Sequence, residues 1–176
     1  MRIVQAGFTL IELSVITGIL GILASIALGP FSGLIEQQRA TAAIEALQSH
    51  MALARSTAIS RNRATILCPS RDSHTCNNDT DWSGGWLLYV DENRNRRPDA
   101  RGEILRVDLR SNNRSLRIAS SSGRRQLRYH SDGSSAGTNL TLSICGRSDN
   151  LLGQVIVNNI GRPRSQRPRT PTACPI

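Results

Sequence analysis

The chain has 176 residues, a net charge of +9, four Cys and only two each of Phe, Trp and Tyr. All 22 basic residues are Arg. That length suits one ordinary domain able to bury a real, mostly aliphatic core, and the basic charge needs a separate explanation.

Residues 1–7 hold one charge, Arg2, and are followed by an apolar run from Phe8 to Leu28 in which Glu12 is the only ionisable group. That run is 21 residues long, or about 31 Å as a helix, enough to span a hydrocarbon core. A carboxylate near the middle of a bilayer costs roughly 2.5 to 3.5 kcal/mol, so Glu12 needs a partner. Cutting the chain between Gly7 and Phe8 supplies one. The new α-amine of Phe8 stands one helical turn from Glu12 and can pair with it in the same chain or in a neighbour.

Gly7, Phe8 and Glu12 stand as in the cleavage motif of the type IV pilins and pseudopilins, and the chain resembles that family. The resemblance implies removal of the leader by a prepilin peptidase and methylation of the new terminus. It also implies a single-pass stage in the bacterial inner membrane with the C-terminal domain periplasmic, then assembly with other pilin subunits into an extracellular pilus. An ordinary signal anchor is the alternative for the same segment.

Beyond Gly29-Pro30, Leu34, Ala40, Ile44, Leu47, Met51, Ala54 and Ala58 recur at helical spacing. Pro30 is expected to kink the helix or begin a second one, and the helix should end near residues 60–62. Seven short strands are predicted at residues 64–68, 86–90, 104–109, 116–118, 127–130, 140–144 and 155–157; Leu140, Leu142 and Ile144 alternate with Thr141 and Ser143. The fold class is α+β: a long N-terminal helix, half membrane-spanning and half amphipathic, packed on an antiparallel sheet domain. The expected divisions are 1–7 leader, 8–29 assembly helix, 30–62 amphipathic helix, 63–160 sheet domain and 161–176 an Arg- and Pro-rich C-terminal loop.

Residues 53–63, Cys68, Trp82-Ser83-Gly84-Gly85-Trp86, Asp91 and Asn93 resemble the minor-pilin group called FimT or GspH. The two Trp are expected to anchor core and turn. Four Cys on the exported side make disulfides plausible. Three pairings are open; joining sequence neighbours, Cys68 with Cys76 and Cys145 with Cys174, is favoured. Zinc is disfavoured, because neither a CxxC pair nor a suitably spaced His is present. Residues 91–99 match a calcium loop only in part, with Arg96 at the sixth position and Gly102 at the twelfth, so Asx turns are the better reading. No metal or cofactor is expected, and no arrangement of nucleophile, base and acid argues for an enzyme.

Charge is segregated. Residues 1–109 carry 11 Arg and 11 acids, whereas residues 110–176 carry 11 Arg against Asp132 and Asp149. Such asymmetry points to a polyanion. The densest stretch is Gly161-Arg162-Pro163-Arg164-Ser165-Gln166-Arg167-Pro168-Arg169, where Pro favours an extended, polyproline-like line of guanidinium groups. Its first four residues look like the GRxR element of FimT-like pilins, which implies DNA-binding roles for Arg162 and Arg164; Arg167 and Arg169 follow by charge and proximity. Arg117 and Arg128 lie between apolar neighbours and should point outward, while Arg124, Arg125 and Arg147 fall in expected loops; all five extend the candidate patch. Few aromatics interleave with these Arg, so sequence-independent contacts to duplex phosphates are expected rather than base stacking. The resulting expectation is a minor pilin that binds extracellular double-stranded DNA for uptake in natural transformation. The alternative is a structural subunit that initiates or caps a type IV pilus or a type II secretion pseudopilus.

Overall fold

A computed structural model describes residues 7, 9–28, 31–99, 103–110, 116–137 and 139–175. The chain divides into two compact units, Met1–Ile35 and Glu36–Ile176. In the first, helix α1 runs Leu10–Leu28. Thr9 caps it: the Glu12 N–H donates to Thr9 Oγ1 at 3.3 Å and the Leu13 N–H to the Thr9 carbonyl at 3.1 Å. Thr-x-x-Glu at a helix start is the capping-box pattern, which gives Glu12 a local role alongside any α-amine pairing. Phe8 and the expected break at residues 29–30 lie outside the described residues. Leu10, Ile11, Leu13 and Leu20 are exposed, while Ser14, Thr17 and Ser25 return their hydroxyls to backbone carbonyls of the preceding turn. That arrangement leaves no hydroxyl proton demanding water. Among the described residues no helix is long and apolar enough to cross a membrane; the expected span from 8 to 28 includes positions outside that set.

Helix α2 runs Phe31–Arg61, and the second unit takes it from Glu36 onward together with, among the described residues, eight strands: β1 Ala64–Pro69, β2 Gly85–Asp91, β3 Ile104–Leu109, β4 Arg117–Ser120, β5 Leu127–Tyr129, β6 Leu140–Cys145, β7 Leu151–Val157 and β8 Pro163–Gln166. The helix ends where Asn62 takes a left-handed conformation (φ 51°) and the Arg63 N–H bonds the Ala58 carbonyl, a cap that Asn tolerates well. Its buried stripe is Ala40, Ala43, Ile44, Leu47, Met51, Ala54 and Ala58. Leu34, expected on that stripe, is 54% exposed and falls in the first unit.

Two four-stranded antiparallel sheets share this stripe as their cover, with orders β3-β2-β1-β5 and β4-β6-β7-β8. Leu67, Trp86, Leu88, Leu127 and Tyr129 of the first sheet and Ile118, Leu142, Ile144, Val155 and Val157 of the second meet the helix in one core. Both Trp are fully buried; Trp86 donates its indole N–H to His50 Nδ1 at 2.8 Å, and the Arg110 guanidinium lies 4.7 Å from its ring centre. The bonded pairs are Cys68–Cys76 and Cys145–Cys174.

The seven expected strands are present with shifted ends. The eighth is the Arg-Pro-Arg segment itself, which pairs antiparallel with β7 rather than standing free in polyproline-like geometry. The cause is the open edge of β7, whose backbone N–H and C=O groups need partners, and Pro is tolerated because β8 is an edge strand.

Candidate nucleic-acid interface

The β7–β8 hairpin places the first two candidate Arg. After Val157 the chain turns through residues 158–161: the Gly161 N–H bonds the Asn158 carbonyl at 2.8 Å, and Asn158 Oδ1 accepts the Arg162 N–H at 3.3 Å. Gly161 has φ 82°, and a Cβ there would lie 2.2 Å from the Gly133 carbonyl oxygen. Only glycine fits this turn. Ile156 pairs with Arg164, and Val155 and Val157 on either side face the core. Arg164 therefore points to the outer face of its sheet, away from α2. Arg162, two residues earlier, stands just before the strand, at the end of the turn that Asn158 holds. Both are exposed.

A polar ladder crosses the same face. Gln166 Nε2 donates to Gln154 Oε1 at 2.8 Å, and Gln154 Nε2 donates to Ser143 Oγ at 3.1 Å. These amides hold β6, β7 and β8 in register and keep the face hydrophilic beside the Arg.

The rest of the tail is pinned at two ends. Gln154 pairs with Gln166 and Asn150 with Ala173, so the three residues 151–153 oppose the six tail residues 167–172, and 167–171 bulge outward. The Leu151 N–H to Thr172 carbonyl bond, the Cys174 N–H to Asp149 carbonyl bond and the Cys145–Cys174 bridge close the far end. Within the bulge, Arg167 turns toward the helix and donates to Thr41 Oγ1 at 2.9 Å; Arg169 is exposed. Among the described residues, ion pairs engage Arg63, Arg71, Arg110 and Arg117 but none of the four tail Arg.

The other candidates separate. Arg117 is exposed on the outer face at the opposite edge of the same sheet, three strand spacings or roughly 14 Å across, and is paired with Asp149. Arg147 is exposed in the β6–β7 turn, where its N–H bonds Glu36 Oε1 at 2.8 Å. Arg128 lies on the outer face of the other sheet, opposite Ile66, half-buried and with Nε shielded from solvent. Arg125 is exposed and donates to Asn78 Oδ1 at 3.1 Å.

Arg124 corrects the sequence reading. It is 9% exposed, and its guanidinium bonds Ser135 Oγ and the Ala136 carbonyl. Burial lowers its affinity for the proton. It holds the 121–137 loops together and is not available to a phosphate.

Asn158, Gly161 and the two Gln escaped the sequence reading as site residues. The Asn-Asn-x-Gly run after a strand is a turn signal, and it marked the hairpin that aims Arg162 and Arg164. In the 91–99 loop, Asx turns are seen: Asn93 Oδ1 accepts the Asn95 N–H, and Asn95 Oδ1 accepts the Arg97 N–H.

No curated protein matches the chain in sequence. In fold it is similar to the type IV minor pilin FimU of Pseudomonas aeruginosa, in two crystal forms. In space group P21 the identity is 22%, the TM-score is 0.59, and 82% of this chain and 99% of FimU are covered. In space group P65 the identity is 21%, with a TM-score of 0.56 and coverage of 76% and 98%. It is also similar to the minor pseudopilin EpsH from the Type 2 Secretion System of Vibrio cholerae, with 15% identity, a TM-score of 0.53 and coverage of 74% and 98%. Residues 43–161 match the family Type II transport protein GspH. That match runs from the buried face of α2 to the turn that sets Arg162, well over half the sequence, so the chain belongs to the family Type II transport protein GspH.

Proposed function

We propose that this minor pilin or pseudopilin binds double-stranded DNA through phosphate contacts from Arg162 and Arg164, with Arg169 and Arg167 reinforcing them, and serves DNA uptake in natural transformation. The observation that carries the reading is the pair of exposed, acid-free Arg at the start of an edge strand, Arg162 in the turn and Arg164 on the outer face, fixed by a glycine turn at one end and a disulfide at the other. A preorganised cationic edge loses little conformational entropy on contact. Guanidinium forks meet phosphate oxygens in bidentate fashion, and the Gln154 and Gln166 amides beside them are engaged with each other and with Ser143.

In this account the α1 surface supplies membrane staging and packing with other pilin subunits after the prepilin peptidase has cut at Gly7, and Glu12 is the assembly carboxylate. Exposed Leu and Ile around α1 support that role. They equally support the second reading, a subunit that initiates or caps a pilus or pseudopilus without touching DNA.

Salt dependence tests the proposal. For about four neutralised phosphates, the affinity of the full-length protein in non-ionic detergent for duplexes of unrelated sequence falls about 150-fold between roughly 50 and 200 mM salt. Strong preference for one sequence, or no binding at the lower salt, contradicts it.

A further inference from the structure

The outer face of the β3-β2-β1-β5 sheet carries a second apolar cluster, Ile66, Cys68, Leu87 and Tyr89, against which Cys76 packs. Cys76 also lies in the wall of a cleft of about 900 Å³ formed by residues 75–78 and 95–99 with Gly123, Arg125 and Gln126. That volume falls among those of cavities that hold small organic ligands.

Arg96, Arg97 and Arg125 line it against a single carboxylate, Asp99. Asp99 is already engaged: its Oδ2 accepts the side-chain amides of Asn93 and Asn95, each at 2.6 Å. Among the described residues none of the three Arg forms an ion pair. Asn77, Asn78 and Gln126 add amides and Thr75 a hydroxyl, with Cys76, Pro98 and Gly123 between them and no aromatic ring among the described residues. Such a wall suits hydroxyl-rich ligands and gives a planar apolar ligand nothing to stack on.

The same sheet face carries two polar groups among its apolar side chains, outside the lining of the cleft. The Tyr89 hydroxyl and Arg128 Nε are buried there without a hydrogen-bond partner among the described residues. Burial, then the carboxylates Asp91, Asp99 and Glu103, holds Tyr89 in its protonated form, so it stays a donor.

We propose that this cleft binds a phosphorylated saccharide, with the three Arg on the phosphate and the amides on the sugar hydroxyls. It is separate from the β8 edge and does not depend on the DNA reading.

The test is calorimetric titration of the full-length protein in non-ionic detergent with glucose 6-phosphate, beside glucose and inorganic phosphate. Glucose 6-phosphate binds more tightly than either control, and Arg96→Asn with Arg125→Gln weakens it about tenfold or more, the loss of charge-assisted bonds. Asn suits the left-handed backbone at position 96 (φ 63°). Arg97→Gln with Arg125→Gln, which leaves that backbone untouched, gives the same weakening. Arg162→Gln with Arg164→Gln leaves the titration unchanged, and both cleft variants behave toward duplex DNA as the wild type does. Absence of binding, binding no tighter than that of inorganic phosphate, or binding undiminished in both cleft variants overturns the proposal. So does loss of the DNA shift in those variants, which would make the cleft part of a nucleic-acid path.

Discussion

Trp86 donates its indole N–H to His50 Nδ1 at 2.8 Å, joining the middle of α2 to the central strand β2. The bond requires the neutral imidazole, because a protonated ring has no acceptor. Burial lowers the His50 pKa, Asp108 opposes this, and Arg106 and Arg110 add to the lowering. The unfolded chain therefore binds a proton that the folded one refuses. Stability falls as pH drops through the ordinary His value of about 6.5 and levels off only below the depressed folded value. Urea titrations at a series of pH values read this slope. His50→Ala removes it and costs about 1 to 3 kcal/mol at neutral pH, since the Trp86 N–H is left buried without an acceptor.

Gly161 is expected to be intolerant. Gly161→Ala forces a left-handed alanine, about 1 to 2 kcal/mol for the backbone alone, and drives a methyl into the Gly133 carbonyl. The hairpin must open, so thermal stability and DNA affinity fall together, whereas Arg162→Gln with Arg164→Gln loses affinity at unchanged stability. Equal melting temperatures in wild type and Gly161→Ala would contradict the turn geometry.

The Cys145–Cys174 bridge spans 29 residues, for which loop-closure entropy gives about 3 to 4 kcal/mol. Cys174→Ser loses stability of that order and weakens DNA binding, because the 167–171 bulge is then pinned by hydrogen bonds alone and must be ordered on contact. Affinity equal to that of the oxidised wild type would show the tether to be irrelevant to binding.

Arg124 and Arg164 separate structural from functional charge. Arg124→Gln breaks bonds to Ser135 and Ala136 and lowers the melting temperature, yet the folded fraction binds DNA as before. Arg164→Gln does the reverse. Both are read from melting curves beside fluorescence-anisotropy binding curves.

Much of this was legible in the sequence because it is periodic. The stripe from Ala40 to Ala58 and the alternation in β6 each bury one face, so spacing alone located them. β8 was not legible, since its Pro and Arg have no strand preference; the open edge of β7 made it a strand, and that pairing depends on a turn conformation at Gly161. Burial of Arg124 was hidden for a related reason. Its partners at 135 and 136 are brought close by β5 and its loops, which local composition does not report. The clustering of Arg162 and Arg164 was read correctly as proximity in sequence, while Arg128 belongs to the other sheet and Arg117 is tied to Asp149.

The central claim is that Arg162, just before β8, and Arg164, on its outer face, contact DNA phosphates. An electrophoretic shift of random-sequence duplex by the full-length protein in non-ionic detergent, wild type beside Arg162→Gln with Arg164→Gln, tests it most directly. The account predicts a clear shift for the wild type at low salt, most of it gone in the variant while the melting temperature is unchanged. A wild type that leaves duplex DNA unshifted at low salt, or a variant that shifts it as well as the wild type, would contradict the account.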